Sequence, residues 1–397
     1  MDICISKNVL GTEKHLVARK DGSYVWVAKK PEKCFSVGFE CSESKIVASL
    51  LGKEISENPG EKYLKAMNFL GVDSDIPWHY SVPEKVFKKF IQKITDDARM
   101  IFEDPQYCYH RNYLDKAQRS IQKLSRTRID EEEFNRLMGD NSVLNKGAIG
   151  SFFPNEGYST KPVYDFVGTN TGRLTIKSGP QILTLKKEHR SILKSRFPGG
   201  RIVQLDYVSL EPRVALSLLG INPPKDIYGF VSDNILNKET GRESAKLLTI
   251  ALLYGMGKKR VKEILGGTLL NPEETMKKLD DFFGAKIIRE ELKKQAKSGF
   301  IQNYYGRNIR VRSDSEHVLY NNLIQSTAVD VALQGFSKII NKIYDEEKRM
   351  RPIFVLHDAL LIDCPPDEVK FLDDLCVLGS AAKDLDAYFY LKKELVN

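Results

Sequence analysis

The spacing of apolar residues changes along the chain and divides it into stretches of different character. Ser23–Lys29 reads as a strand after the turn Lys20-Asp21-Gly22, Phe35–Phe39 reads as another, and Glu61–Leu70 has helical spacing. Asp73–Pro83 is rich in turn residues and is expected to close a small N-terminal unit, residues 1–85. Residues 86–150 read as helices. In Tyr113–Arg128 the apolar stripe is Leu114, Ala117, Ile121 and Leu124, while Lys116, Arg119, Lys123 and Arg126 fall on another face. Residues 151–221 are loop- and strand-rich, and within them Ile202, Val203 and Leu205 form a buried-strand pattern after the turn Gly199-Gly200. A helix over Pro212–Leu219 follows, and residues 222–300 are mostly helical. Residues 301–397 hold the rest of an aromatic strand-like run, Phe300–Tyr305, and a long helix over Leu319–Phe336. Two apolar strands come next, Ile353–Leu356 and Leu360–Ile362, then a charged helical tail, Pro365–Asn397, with an aromatic run at Tyr388–Leu391.

Composition narrows the class. A chain of 397 residues with 42% hydrophobic content supports two to four cored domains. No window approaches about 18 consecutive apolar residues, and no signal-peptide pattern opens the chain, so no membrane association is expected. The six cysteines form no CxxC pair and no zinc-finger spacing, which suits reduced thiols in a cytoplasmic setting. The net charge of +8 favours a polyanionic partner without requiring one.

The candidate chemistry lies in three places. Asp206 ends a buried strand, where a lone carboxylate needs a metal, a partner or water. His357-Asp358 puts two polar groups at the tip of an apolar hairpin. Arg242, Lys246, Ile250 and Tyr254 recur every four residues on one helix face, charge at one end and a flat ring at the other. Gly255 and Gly257 let that helix end and another chain approach. The same face also fits an amphipathic helix with ordinary surface cations, as the Lys116 face fits plain solvation.

Asp206-Tyr207-x-x-Leu210-Glu211-x-Arg213, Arg242-x3-Lys246-x7-Tyr254-Gly255 and Val355-Leu356-His357-Asp358 occur in that order. Together they resemble the three polymerase motifs of family A, the bacterial DNA polymerase I family. Thr171-Gly172-Arg173-Leu174, Gln181-Ile182, Asp226-Ile227-Tyr228, Gly306-Arg307 and Asn321-x3-Gln325 fall in compatible places over about residues 160–365. The resemblance implies an α+β right-hand fold: a palm built on an antiparallel sheet (151–221 and 301–397), helical fingers (222–300), a helical thumb (86–150) and the small N-terminal unit. It implies a template-dependent DNA polymerase acting on primer-template DNA and dNTPs. Asp206, Asp358 and the Tyr207 carbonyl would hold two Mg²⁺ ions, for which Mn²⁺ could substitute. Arg242 and Lys246 would neutralise the triphosphate, with Lys246 also protonating the leaving pyrophosphate. Ile250 and Tyr254 would complete the nucleotide site, and Glu211 would exclude a ribose 2′-hydroxyl. Arg173, Asn321, Gln325, His357, Gly255 and Arg307 would meet the primer-template, and Lys116, Arg119 and Lys123 would grip the duplex.

The pattern departs from the family at several points. Ile250 stands where Phe or Tyr is usual, Ala359 where many members carry Glu, His317 where Arg is common, and Val208-Ser209 where Ser-Gln is usual. Ile250 keeps open a single-subunit RNA polymerase or primase-like activity; an inactive nucleic-acid-binding relative is the other alternative. The first 85 residues are too short for a proofreading exonuclease module, so no 3′–5′ exonuclease activity is expected. A short enzyme of this kind suits a phage or mobile element in a bacterial cytoplasm. It is expected to be monomeric, with a replication accessory protein as a candidate partner.

Overall fold

The computed structural model describes residues 1–39, 43–53, 55, 57–71, 78–144, 146–236, 238–266, 268–382 and 385–396. Cys41 and residues 73–77 of the turn-rich stretch lie outside the described residues. Two units divide the chain, one of Met1–Asn112 with Gly306–Asn308, the other of Tyr113–Tyr305 with Ile309–Asn397.

In the first unit a four-stranded sheet is formed by β1 (Ile3–Ile5), β2 (His15–Ala18), β3 (Tyr24–Val27) and β4 (Phe35–Val37), in the order β3-β2-β1-β4. The helix α1 (Glu84–Glu103) turns Phe90, Ile91, Ile94, Ala98 and Ile101 into one core with Ile3, Ile5 and Phe35. An apolar stripe of that width must be buried, and this sheet covers it. The unit therefore runs past the boundary expected at residue 85, and the helical segment 86–150 is divided between the two units. The Gln106 amide receives Gly306–Asn308: its Nε2 donates to Gly306 O at 2.7 Å, and its Oε1 accepts from Asn308 N–H at 2.8 Å. Arg307, expected at the DNA, is instead 1% exposed and donates to Tyr109 Oη at 3.3 Å. A guanidinium enclosed in this way does not face an open groove.

In the second unit α2 (Asp115–Gln122) carries the basic face. Arg119 is paired with Asp115 at 2.9 Å, Lys123 Nζ donates to Asn341 Oδ1 at 2.8 Å, and Lys116 is exposed. The unit centres on β5 (Arg201–Tyr207), which leads through Ser209 into α3 (Leu210–Ser217). Beyond it come α4 (Arg242–Tyr254), α5 (Glu316–Asp345), β6 (Arg351–Leu356), β7 (Ala359–Cys364), α6 (Phe371–Ser380) and β8 (Leu391–Leu395). The antiparallel sheet has the order β6-β7-β5-β8. Ile202, Phe354, Leu356, Ala359 and Leu361 pack on one face. Full burial of each large side chain stabilises the fold by roughly 1.5–3 kcal/mol. Alternation sends Val203, Leu205 and Tyr207 to the opposite face, where the Tyr207 ring lies 5.5 Å from that of Phe336 on α5.

The tail is not helical throughout, as its charge pattern suggested. Among its described residues Phe371–Ser380 is the α-helix, and Leu391–Leu395 joins the central sheet, with Leu391 opposite Tyr207 and Lys392 opposite Asp206. An edge strand needs only one apolar face, so a Lys-rich run can occupy it.

Gly335 allows α5, β5 and α6 to meet. A Cβ there would overlap Tyr207 Oη and come within 2.7 Å of Gly379 O, the acceptor of the Tyr207 hydroxyl. Gly335→Ala is expected to cost about 1–3 kcal/mol of stability, the usual penalty for overpacking, read as a lowered urea midpoint. An unchanged midpoint would contradict this close approach.

Candidate active site

The two aspartates meet through backbone pairing. Ala359 is the cross-strand partner of Asp206, and Tyr207 N–H donates to the Asp358 carbonyl at 3.0 Å. Asp358 follows His357 in the two-residue turn between β6 and β7, with His357 at φ 46°, a sign of φ common to tight hairpin turns. Ser209 (φ 52°) makes a second left-handed turn, which brings Glu211 into the first turn of α3 close behind Asp206. Burial raises the Asp206 carboxyl to about 6, and the charge of Asp358 adds to the shift against the opposing pull of Lys392. Asp358 is exposed on its outer side, yet desolvation against the cleft wall raises its carboxyl as well, with the charge of Glu211 contributing.

α4 forms another wall. Four Leu and two Ala favour the helix, and Gly255 ends it at φ 67°. A Cβ on Gly255 would stand 2.5 Å from His317 Cβ, so this position requires glycine. Arg242 Nε is bound by Asp226 Oδ2 at 2.9 Å, while Lys246 has no ion-pair partner among the described residues. Tyr254 Oη donates to Glu211 Oε1 at 3.0 Å, and Arg173 reaches the same oxygen at 2.9 Å. The Glu211 carboxylate is thereby fixed in direction. Thr171 Oγ1 donates to Gln325 Oε1 at 2.5 Å.

The two aspartates, Glu211, Arg173, Gln325 and the Arg242, Lys246 and Tyr254 side chains of α4 line one open cleft of about 500 Å³. Of the expected site residues, Asp206, Tyr207, Glu211, Arg242, Lys246, Ile250, Tyr254, Arg173, Gln325, His357 and Asp358 border it. Asn321 lies one turn from Gln325 on α5 without bordering it, and Gly255 lies just beyond Tyr254; Lys116, Arg119, Lys123 and Arg307 also lie off the cleft.

The sequence matches the family model for DNA polymerase family A over residues 148–378, more than half of the chain. The chain belongs to DNA polymerase family A. Relatives of this family A chain include DNA polymerase I of Bacillus subtilis, 24% identical over 52% of this chain and 27% of that protein. The DNA polymerase of Bacillus phage SP01 is 24% identical over the same shares of the two chains. The chain thus spans 27% of the length of these curated relatives. Among solved structures, the POL domain of Pol1 from M. smegmatis, in complex with DNA primer-template and dNTP, superposes with a TM-score of 0.68 at 14% identity. The superposition covers 99% of this chain and 94% of that one, and it establishes the α+β polymerase fold.

The donor set suits a hard divalent cation. No group of three His, Cys, Asp or Glu able to hold a metal occurs among the described residues. Mg²⁺ does not need one, because it binds through one or two carboxylates and completes its shell with water and substrate phosphate. Asp206 and Asp358, both raised by burial and the first also by the charge of the second, supply such a pair. Three further residues in or beside the cleft of this family A chain carry no site role in the sequence motifs. Tyr228 borders the cleft, Asp226 binds Arg242, and Lys392 approaches Asp206 Oδ2 at 3.2 Å. The motif Asp226-Ile227-Tyr228 was a signal for the first two; Lys392 sits in a charged tail with no motif of its own.

The Asp206 shift has a stability consequence. A carboxyl raised from 3.8 to about 6 holds its proton more tightly folded than unfolded. The stability linked to that proton is fully present below pH 3.8 and lost as pH rises through about 6. In metal-free buffer at pH 7.5, Asp206→Asn should therefore be more stable than wild type, by about 3 kcal/mol, with most of the gain gone near pH 4. Urea titration at the two pH values measures this; equal stability at pH 7.5 would contradict it.

Proposed function

We propose that the chain is a template-dependent DNA polymerase that extends a primer 3′ end with deoxynucleotides. The observation that carries this reading is the convergence, in one cleft, of the carboxylates Asp206 and Asp358, the cations of α4 and the anchored Glu211. The solved relative in complex with primer-template and dNTP supports it. In this reading the central sheet is the palm and residues 222–300 are the fingers.

Asp206 and Asp358, with the Tyr207 carbonyl, hold Mg²⁺, or Mn²⁺ in its place. Bound there, divalent cations stabilise the attacking and leaving oxygens of nucleotidyl transfer. Lys246, which borders the cleft and has no ion-pair partner among the described residues, receives the triphosphate and protonates the departing pyrophosphate. Arg242 exchanges Asp226 for phosphate oxygens, a swap between two anions of one exposed guanidinium. Glu211, held by Arg173 and Tyr254, cannot easily swing away and excludes a 2′-hydroxyl. Tyr254 and Ile250 cover the base and sugar, while Arg173, Gln325, Asn321 and His357 meet the primer-template. Contacts to minor-groove acceptors, present at every base pair, sense pair geometry without reading sequence. The five described cysteines are free thiols, which supports work in a reducing cytoplasm.

Primer extension on a primed template with Mg²⁺ tests the reading. Wild type should add dNTPs in template order, and Asp206→Ala should lower the rate at least 10²–10³-fold, the scale of lost electrostatic stabilisation at a reacting oxygen. No extension by wild type, or equal extension by Asp206→Ala, would overturn it. Glu211→Ala should reduce the preference for dNTP over rNTP by roughly 10–200-fold, as for loss of a steric sieve. Unaltered preference in single-nucleotide addition would remove Glu211 from that role.

A further inference from the structure

The edge strand β8 brings a cation to the aspartate pair. Lys392 is in register with Asp206, and on the other flank of Asp206 stands Ala359, which offers no charge. Lys392 Nζ lies 3.2 Å from Asp206 Oδ2 and 2.8 Å from Glu394 Oε1, while the second oxygen of Glu394 is 3.9 Å from Lys187 Nζ. Residues 392 and 394 share a face of the strand, so one ammonium is suspended between two carboxylates. Its side chain is 46% exposed, that of Asp206 only 20%, so the lysine can swing on its four-carbon stem while the aspartate stays fixed.

An oxygen that accepts from an ammonium is compromised as a ligand for a divalent cation, because the two positive charges would stand a few ångströms apart. Glu394 provides the place to which the ammonium retreats. We propose that Lys392 is the resident counter-ion of Asp206, displaced toward Glu394 when a divalent cation binds, so that the Lys392–Glu394 pair sets the metal affinity of the site. This rests on the reading of Asp206 as a metal ligand. Lys392 acts here as a positioning residue: it acts through Asp206 and supplies no ligand itself. Its consequence is a high metal threshold in the empty cleft, which the negative charge of an incoming triphosphate would lower.

Binding of Mn²⁺ to the full chain, without DNA or nucleotide and followed by electron paramagnetic resonance, tests this independently of turnover. Lys392→Met should bind Mn²⁺ about tenfold more tightly than wild type, the order expected for removing a unit charge a few ångströms from the ion in a solvated cleft. Lys392→Arg, which keeps the charge, should remain near wild type. Glu394→Gln should bind several-fold more weakly, because the ammonium then rests on Asp206 undivided. Opposite signs for the two neutralising variants exclude a general loosening of the edge strand. Unchanged or weaker binding by Lys392→Met, or tighter binding by Glu394→Gln, overturns the proposal alone. Binding that survives intact in Asp206→Asn overturns the metal-site reading and the proposal with it.

Discussion

Two carboxylates that repel one another are held side by side by the backbone ladder between β5 and β7. The register that places Ala359 opposite Asp206, and the bond from Tyr207 N–H to the Asp358 carbonyl, bring the two side chains to one cleft. The rest of the second unit serves this arrangement. Apolar residues on both faces of the sheet fix the strands, and the close approach of α5 at Gly335 fixes the end of β5. The carboxyl of Asp206 is raised because burial and its neighbour both disfavour its charge.

Local backbone conformation extends the same constraint to the substrate groups. Ser209 and His357 adopt left-handed φ values on either side of the aspartates. Such residues cost about 1–3 kcal/mol each and cluster where geometry is functional. The turn at Ser209 lets the chain pass from the strand carrying Asp206 to a helix carrying Glu211 within a few residues. Arg173 and Tyr254, from distant parts of the sequence, then converge on one Glu211 oxygen.

Much of this was legible in the sequence because it rests on short-range pattern. The strand before Asp206, the hairpin with His357-Asp358 at its tip and the four-residue period of Arg242, Lys246, Ile250 and Tyr254 each encode an element and its facing. What escaped depends on tertiary burial. Nothing local distinguishes Arg307, enclosed beside Tyr109, from a surface arginine. The apolar stripe of Glu84–Glu103 does not say which sheet will cover it, so a boundary at residue 85 falls short of the unit's end at Asn112. Lys392 looked like one more charge on a helical tail, because edge-strand pairing leaves a weaker mark than a strand apolar on both faces.

The central claim is that Asp206 and Asp358 together form the catalytic metal site. The most direct measurement is anomalous scattering from Mn²⁺ in crystals of the chain with primer-template DNA and a non-hydrolysable deoxynucleoside triphosphate. The account predicts metal peaks within coordination distance of both carboxylates, with the triphosphate beside Lys246 and Arg242. A nucleotide bound in the cleft with no peak near either aspartate would contradict it.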